Sequence, residues 1–594
     1  MKRFSSVDFL RGTAIFMMLL LHVMSWMLNT NALFATVDNI PLANILAMLV
    51  FEFMGGLAGF FLLVSAIGNM ISMYKRLQAG RSTTDLLRNQ VVSGILLLIF
   101  AYLVEGDIGY RGALGNVLRS LNNIPSASVT IATMFSRWAY FETIHTIAWC
   151  ILINGIVQYV LSRHDRWKDV KGQIIAYAVA AVIVVLITQP VWWLVQNLVP
   201  GGYPWTAAGN DVSLPDILSP GTTFVTLLHS VFLNALAAPE EPILPYLAIS
   251  FLGSIIGIVL SQPREKIPLN FPKRIMQLGM AMFVVGMVGF VAFIVTVLTQ
   301  SGFDAMATAY FNVSNHRNLW DYPGIPQTYT FPAAWLFQFL AVNGIGVLLT
   351  MLVIRLVEFR GFGAKFAKQT TFIRRFGFIA FTNYNDQFIM WIVWYLYGTV
   401  ASALGLGILV GVDPTHVLPN GSYSNPYEAV NWTSVFIILF LVYCLYHVIM
   451  IAWEKVGYIG SLEWCMVRLS YALVPSKKAT GSRLAGTGRG AGLDVEHAFY
   501  NAEWQDIVQE GEVPAEEMRD SKLAYKLALI GLVSVVFIPV TIVSWRLALT
   551  AERVEGKNKY NHIAKIASIA GIVILVAVLA FLFIFTPNML GLSF

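Results

Sequence analysis

Long apolar stretches alternate with short polar ones along almost the whole chain. A membrane-spanning helix needs about 20 mostly apolar residues. The stretches 12–29, 47–73, 91–105, 141–162, 172–197, 243–261, 275–298, 331–354, 376–400, 433–453, 526–547 and 563–587 predict such spans. A shorter apolar piece, 222–238, ends in Ala-Pro-Glu-Glu-Pro and predicts a re-entrant or interfacial helix. The stretch 401–412 predicts an extension of the ninth span. Over 476–524 the pattern turns polar, with SRLAGTGRGAG followed by the acidic EGEVPAEE. A run too poor in apolar residues to build its own core predicts a cytoplasmic linker. The expected fold class is all-α, a polytopic transmembrane helical bundle of about 10–11 core helices plus a C-terminal two-helix hairpin. The expected organisation is a membrane domain over 1–475, a polar linker over 476–524 and the hairpin over 525–594.

Composition supports that pattern. Of 594 residues, 57% are hydrophobic and 12% charged, with mean hydropathy +0.67. Soluble domains carry about 25% charged residues, so most of this surface is expected to face a lipid bilayer. The net charge of +6 lies in short clusters between apolar stretches, as in cytoplasmic loops; it predicts no nucleic-acid partner. Cys150, Cys444 and Cys465 all lie in apolar segments and have no zinc-ligand spacing, so no metal is expected. The N-terminal MKRFSSVDFLRGTAIFMMLLLHVMSW has a basic start and an apolar run but no small-residue cleavage site. It reads as a retained first membrane helix.

Lysine and arginine set the orientation. With the N-terminus inside, the inside segments 1–11, 74–90, 163–171, 262–274 and 355–375 carry 21 basic residues, against 4 in the outside segments 29–45, 106–140, 198–242, 299–330 and 404–432. That asymmetry predicts a multi-pass protein of the cell (plasma) membrane with a cytoplasmic N-terminus. The sequons at Asn312, Asn420 and Asn431 fall in the expected outside loops. The loop between the last two spans holds Arg553, Lys557 and Lys559. The charge rule places it inside and the span count places it outside, so the orientation of the last hairpin stays open.

Ionisable and polar groups inside spans are costly and mark candidate functional positions. The first span carries Asp8, Arg11, His22, Ser25, Trp26 and Asn29. Eleven residues separate Arg11 from His22, which at about 100° per residue brings them to nearly one helix face, roughly 16 Å apart along the axis. Such a stripe predicts either a wet cavity or a packing histidine bonded to a neighbouring helix. Asn383, Asp386 and Gln387 are spaced i, i+3, i+4 and are expected on one face, lining a cavity or forming an interhelical cluster. Glu142 and His145 form an i, i+3 pair at the outer end of the fourth span, where a carboxylate can orient an imidazole. Glu52 and the Glu240-Glu241 pair are further candidates. Glu454, Glu463 and Arg468 predict a cytoplasmic salt-bridge set.

The string SVDFLRGTAIFMMLLLH resembles the opening of two related groups of membrane acyltransferases. One is the acyltransferase-3 family, whose Arg-x10-His signature Arg11 and His22 match. The other is the heparan-alpha-glucosaminide N-acetyltransferase-like group with its bacterial YeiB-like relatives. GFFLLVSAIGNMISMYKR, FETIHTIAWCILING, PILPYLAISFLGSIIGIVLS, RRFGFIAFTNYNDQFIMW and GSLEWCMVRLSY resemble further segments of these families in the same order, so the likeness spans 4–472. The sequence also departs from them. The heparan-type enzymes have Asn at the place of His22 and a histidine in the next outer loop, whereas 29–45 holds none. Their Gly-Arg in the ninth span reads Gly377-Phe378 here, with Arg374 and Arg375 upstream, and their Gly-Pro before Glu-Trp reads Gly460-Ser461.

The resemblance implies transfer of an acyl group, most simply acetyl, from cytoplasmic acyl-CoA to a carbohydrate or glycolipid acceptor. It implies that His22 and Arg11, with Asn383 and Asp386, carry the chemistry. Arg11, Lys75, Arg76 and Arg88 would hold the phosphates of the co-substrate. Trp26, Asn29, Glu142 and His145, with Trp149 and Trp320, would meet the acceptor. Asn383 or Tyr384 would stabilise the oxyanion. Two other readings stand beside it: a non-catalytic subunit or scaffold, and a transporter of a polar, glycolipid-like substrate. A homodimer or partners in a membrane complex fit any of the three.

Overall fold

The computed structural model describes residues 3–27, 56–109, 112–121, 141–198, 232–233, 235–237, 241–314, 334–404, 432–474, 484–485, 490–508, 520–533 and 538–585. Its described elements are helices joined by short turns, with two isolated backbone bridges, Arg3–Trp504 and Leu484–Leu493. Among the described residues, nine helices are long and apolar enough to cross a membrane. The chain is therefore an all-α polytopic bundle.

In chain order the helices are α1 (Ser5–Met27), α2 (Leu57–Gln78), α3 (Thr83–Phe100), α4 (Ala113–Leu121), α5 (Thr143–Ser162), α6 (Val170–Leu198), α7 (Ile243–Leu260), α8 (Phe271–Ser314) and α9 (Ala334–Val357). There follow α10 (Gly363–Gln369), α11 (Thr371–Phe378), α12 (Ala380–Asn385), α13 (Ile389–Ala403), α14 (Trp432–Glu454) and α15 (Leu462–Leu473). The last three are α16 (Asp520–Val533), α17 (Ile538–Glu555) and α18 (Lys559–Phe585).

Helix α7 is the hub. Its whole span is buried, and it packs on α2, α5 and α6. Helices α6 and α8 instead expose Val182, Leu186, Val285 and Val288, as a lipid-facing rim requires. Helices α1 and α11 cross where Gly12 meets Gly377; a Cβ on Gly377 would stand 2.5 Å from the Gly12 nitrogen. Only glycine permits that approach, the usual device for close helix contacts in membranes. The end of the bundle that carries Arg3, Asp8 and Arg374 is termed the basic end, and the opposite one the far end.

Three expectations change. First, the ninth span is not one helix. It is divided into α11, α12, a 3₁₀ turn over Asp386–Phe388, and α13. Second, the stretch 526–547 is split between α16 and α17, which pack on each other and on α18. The expected two-helix hairpin is thus a three-helix unit. The extra reversal returns the chain to the basic end, where the Glu555 carboxylate accepts the Asp520 N–H at 2.6 Å and Asn558 donates to the Ser521 hydroxyl at 2.9 Å. The basic 553–559 loop therefore sits at the same end as Arg355, whose guanidinium meets Asp520 at 2.6 Å. That removes the conflict between span count and charge. Third, Glu454, Glu463 and Arg468 do not pair with one another: Glu454 binds Arg375 at 2.5 Å, and Arg468 donates to the Ala491 carbonyl at 2.9 Å. The pieces 222–238 and 401–412 lie largely outside the described residues.

Part of the polar 476–524 stretch lies across the basic end. Arg3 and Trp504 form a parallel bridge, with Arg3 N–H on the Glu503 carbonyl and Gln505 N–H on the Arg3 carbonyl, both at 2.8 Å. The Ile507 N–H donates to the Glu358 carbonyl at 2.9 Å, and Asp506 accepts the Gly363 N–H at 3.0 Å.

Candidate functional site

The break in the ninth span follows from where backbone groups find partners. The first N–H groups of a helix have no partner within it. At the start of α12 the half-buried Glu463 carboxylate from α15 supplies one, accepting the Phe381 N–H at 2.6 Å. It also accepts the Thr382 hydroxyl at 2.6 Å, while the Thr382 oxygen takes the Leu462 N–H at 2.9 Å. Burial pushes the Glu463 carboxyl up, and the Thr382 and Phe381 donors oppose the shift. The side chain of Asn383 donates to the Phe376 carbonyl at 3.0 Å, closing the end of α11. The break between α11 and α12 is thus set from both sides, by Glu463 at the start of α12 and by Asn383 at the end of α11.

Asn383 and Asp386 both reach α14, at Met450 and Tyr446, as an interhelical cluster would, whereas the turn sends Gln387 away from the expected common face. Asn383 is 1% exposed and spent on Phe376. Asp386 accepts the Tyr446 hydroxyl of α14 at 2.9 Å. Gln387 alone reaches α1, where its Oε1 meets His22 Nδ1 in a short contact.

The Gln387 contact fixes the proton on His22. The Gln387 Nε2 donates to the Tyr384 carbonyl at 2.6 Å. A carbonyl only accepts, so the amide oxygen faces His22, and His22 Nδ1 must carry the hydrogen. In the neutral ring the lone pair is then on Nε2. From Gln387 the connection runs on to Tyr384, whose hydroxyl donates to Glu142 Oε2 at 3.1 Å. Glu142 and His145 form a reciprocal cap on α5: the Glu142 N–H donates to His145 Nδ1 at 3.1 Å. His145 therefore has the opposite tautomer, with its hydrogen on Nε2. Beyond it Glu105 Oε2 lies 3.7 Å from His145 Nδ1. Residues from α1, α12, the 3₁₀ turn, α5 and the π turn after α3 thus place a series of polar groups near one another, joined partly by hydrogen bonds and partly through the Tyr384 side chain.

The basic end is separate from this series. Asp8 is its centre, with Arg3 at 2.8 Å, Arg11 at 3.5 Å and Arg374 at 4.0 Å. Lys75 stands over the Phe4 ring at 5.5 Å. Arg374 is buried between Trp504 and Phe499 at 4.5 and 5.3 Å and donates to the Ala498 carbonyl at 2.7 Å. Burial pulls its guanidinium down to about 10, with Asp8 opposing, so it stays charged at neutral pH. The expected phosphate set divides. Arg11 and Lys75 gather at Asp8. Arg76 is within electrostatic reach of Tyr471, and Arg88 donates to the Leu473 carbonyl at 3.3 Å, both on α15.

The structure thus relates His22 to Glu142 and His145 through Gln387 and Tyr384, while Asn383 and Asp386 are engaged by α11 and α14. Trp26 lies in α1 with its side chain outside the described part, and Asn29 and Trp320 lie outside the described residues. Gln387 and Tyr384 stand between the two histidines; Tyr102 and Glu105 had no assigned role from sequence, and Glu463 was expected only in a salt-bridge set. Among the described residues, no group of three or more His, Cys, Asp or Glu is placed to hold a metal ion. No protein-family model matches the chain, and no curated protein matches it.

Proposed function

We propose that this chain is a membrane acyltransferase. It moves an acyl group, most simply acetyl, from cytoplasmic acyl-CoA to a sugar or glycan acceptor at the outer face. The observation that carries the reading is the His22–Gln387 contact, which leaves the imidazole lone pair on Nε2. An imidazole poised in that tautomer is a general base. His22 Nε2 takes the proton of the acceptor hydroxyl or amine as that atom bonds to the acyl carbon. The thioester C–S bond breaks, and the proton passes to the departing sulfur. The basic groups Arg3, Arg11, Lys75 and Arg374 gathered at the basic end suit a phosphate-rich co-substrate.

The test is transfer from radiolabelled acetyl-CoA by the purified full-length protein in lipid nanodiscs, with glycan acceptors. General-base catalysis contributes roughly 10²–10⁴-fold, so His22→Ala is expected to lower the rate at least about 100-fold. Equal rates for the two proteins would overturn the assignment. A second reading, a transporter of a polar glycolipid-like substrate, draws support from the broken helix at membrane depth. Uptake into proteoliposomes lacking acyl-CoA, with no transfer in nanodiscs, would favour it.

A further inference from the structure

Three hydrogen-bonding groups at the far end have no hydrogen-bond partner among the described residues. They are the Tyr102 hydroxyl, His145 Nε2 and the Trp149 indole N–H, all buried at the atom. His145 itself is only 2% exposed. The three lie close together. His145 and Trp149 are one turn apart on the same face of α5, and the Tyr102 ring centroid is 4.3 Å from that of His145. Tyr102 sits in the π turn Ala101–Glu105 that extends α3. The extra residue of a π turn re-aims side chains and often marks a functional position. Each unmet buried group costs about 1–3 kcal/mol, and folded proteins leave few of them. Three beside one another indicate a ligand that meets them.

The chemistry of the groups restricts that ligand. The Trp149 indole and the His145 Nε2–H only donate, so the ligand must present acceptors. The Glu105 carboxylate lies 3.7 Å from His145 Nδ1, and Glu142 accepts the Tyr384 hydroxyl next to it. Two carboxylates at this imidazole repel an anionic ligand. A hydroxyl satisfies both demands, since it accepts from N–H and donates to carboxylate. Aromatic rings complete the surroundings: Phe141 lies 5.3 Å from His145, and Phe232 lies 6.0 Å from Trp149. Rings beside a few fixed polar groups are the ordinary make-up of a small-molecule site, and the C–H face of a pyranose packs on them. We propose that Tyr102, His145 and Trp149 form a binding site for a neutral sugar ring, with uncharged pyranoses preferred over uronic acids. As the acceptor site it rests on the transferase reading, but the binding itself does not.

Saturation-transfer NMR on the full-length protein in detergent micelles, without acyl-CoA, tests it. The probes are glucose, galactose, N-acetylglucosamine and glucuronate. Saturation is expected to reach the ring protons of at least one neutral sugar and to be weaker for glucuronate. Tyr102→Phe and Trp149→Phe each remove one hydrogen-bonding atom and are expected to weaken binding roughly 3- to 10-fold. Their elution and melting should match the parent protein, which separates lost binding from lost fold. No saturation of any neutral sugar, a stronger glucuronate signal, or unchanged binding in both variants would overturn the proposal. Sugar binding without acyl transfer would leave this site standing and remove only the transferase reading.

Discussion

A neutral imidazole carries one proton, so the nitrogen already bonded decides what the other can offer. His22 gives its Nδ1 hydrogen to Gln387, and His145 uses Nδ1 to accept the Glu142 N–H. The first is left with a basic Nε2 and the second with a donating one. This complementarity depends on Gln387, whose amide is fixed by the Tyr384 carbonyl. Gln387→Leu keeps the volume but frees His22 to change tautomer. It should lower the transfer rate about 10-fold or more and move the pH–rate profile. An unchanged profile would show that Gln387 only fills space. Spacing along α1 was enough to single out His22 and Arg11, and i, i+3 spacing found Glu142 with His145. Gln387 was visible only as one of three polar residues on an expected face. Its distinct role comes from the break before it, which depends on a carboxylate some 80 positions later, beyond the reach of any local pattern.

At the scale of elements, the apolar runs located the continuous spans because lipid demands length and apolarity of each one separately. Two places escaped that logic. RRFGFIAFTNYNDQFIMW is apolar enough to read as a span, yet Glu463 and Asn383 satisfy its backbone at a break. The stretch 526–547 reads as one span but belongs to two helices of the C-terminal unit. That unit is fastened by Asp520, which is 1% exposed and meets both Arg355 and Arg360. Removing one partner of a buried ion pair costs roughly 3–5 kcal/mol, because the remaining charges stay buried. Asp520→Ala should therefore release α16–α18 from α9. Limited proteolysis in detergent is expected to cut the variant within 509–519 well before the parent protein. Equal cleavage rates would mean that helix packing alone holds the unit.

At the scale of the whole molecule, the three-helix tail places Lys557 at the same end as Arg3. A cysteine at 557 and one at Ser82, each labelled in intact cells with a membrane-impermeant thiol reagent, should react alike. Opposite accessibility would refute the added reversal. The polar 490–508 segment lies across this end, with Trp504 paired to Arg3 and Phe499 and Trp504 enclosing Arg374. Sequence could mark that segment as polar, but its partners lie far away in the chain, Arg3 at the N-terminal end and Arg374 between Arg3 and the segment. The ribosome finishes Arg3 almost a whole protein length before Trp504. During synthesis the leading helix is therefore made while its basic tip still lacks its cover, and a chain stalled before residue 504 would leave Arg374 without the Trp504 ring. Cover for that tip has to wait until the segment around Trp504 has been made.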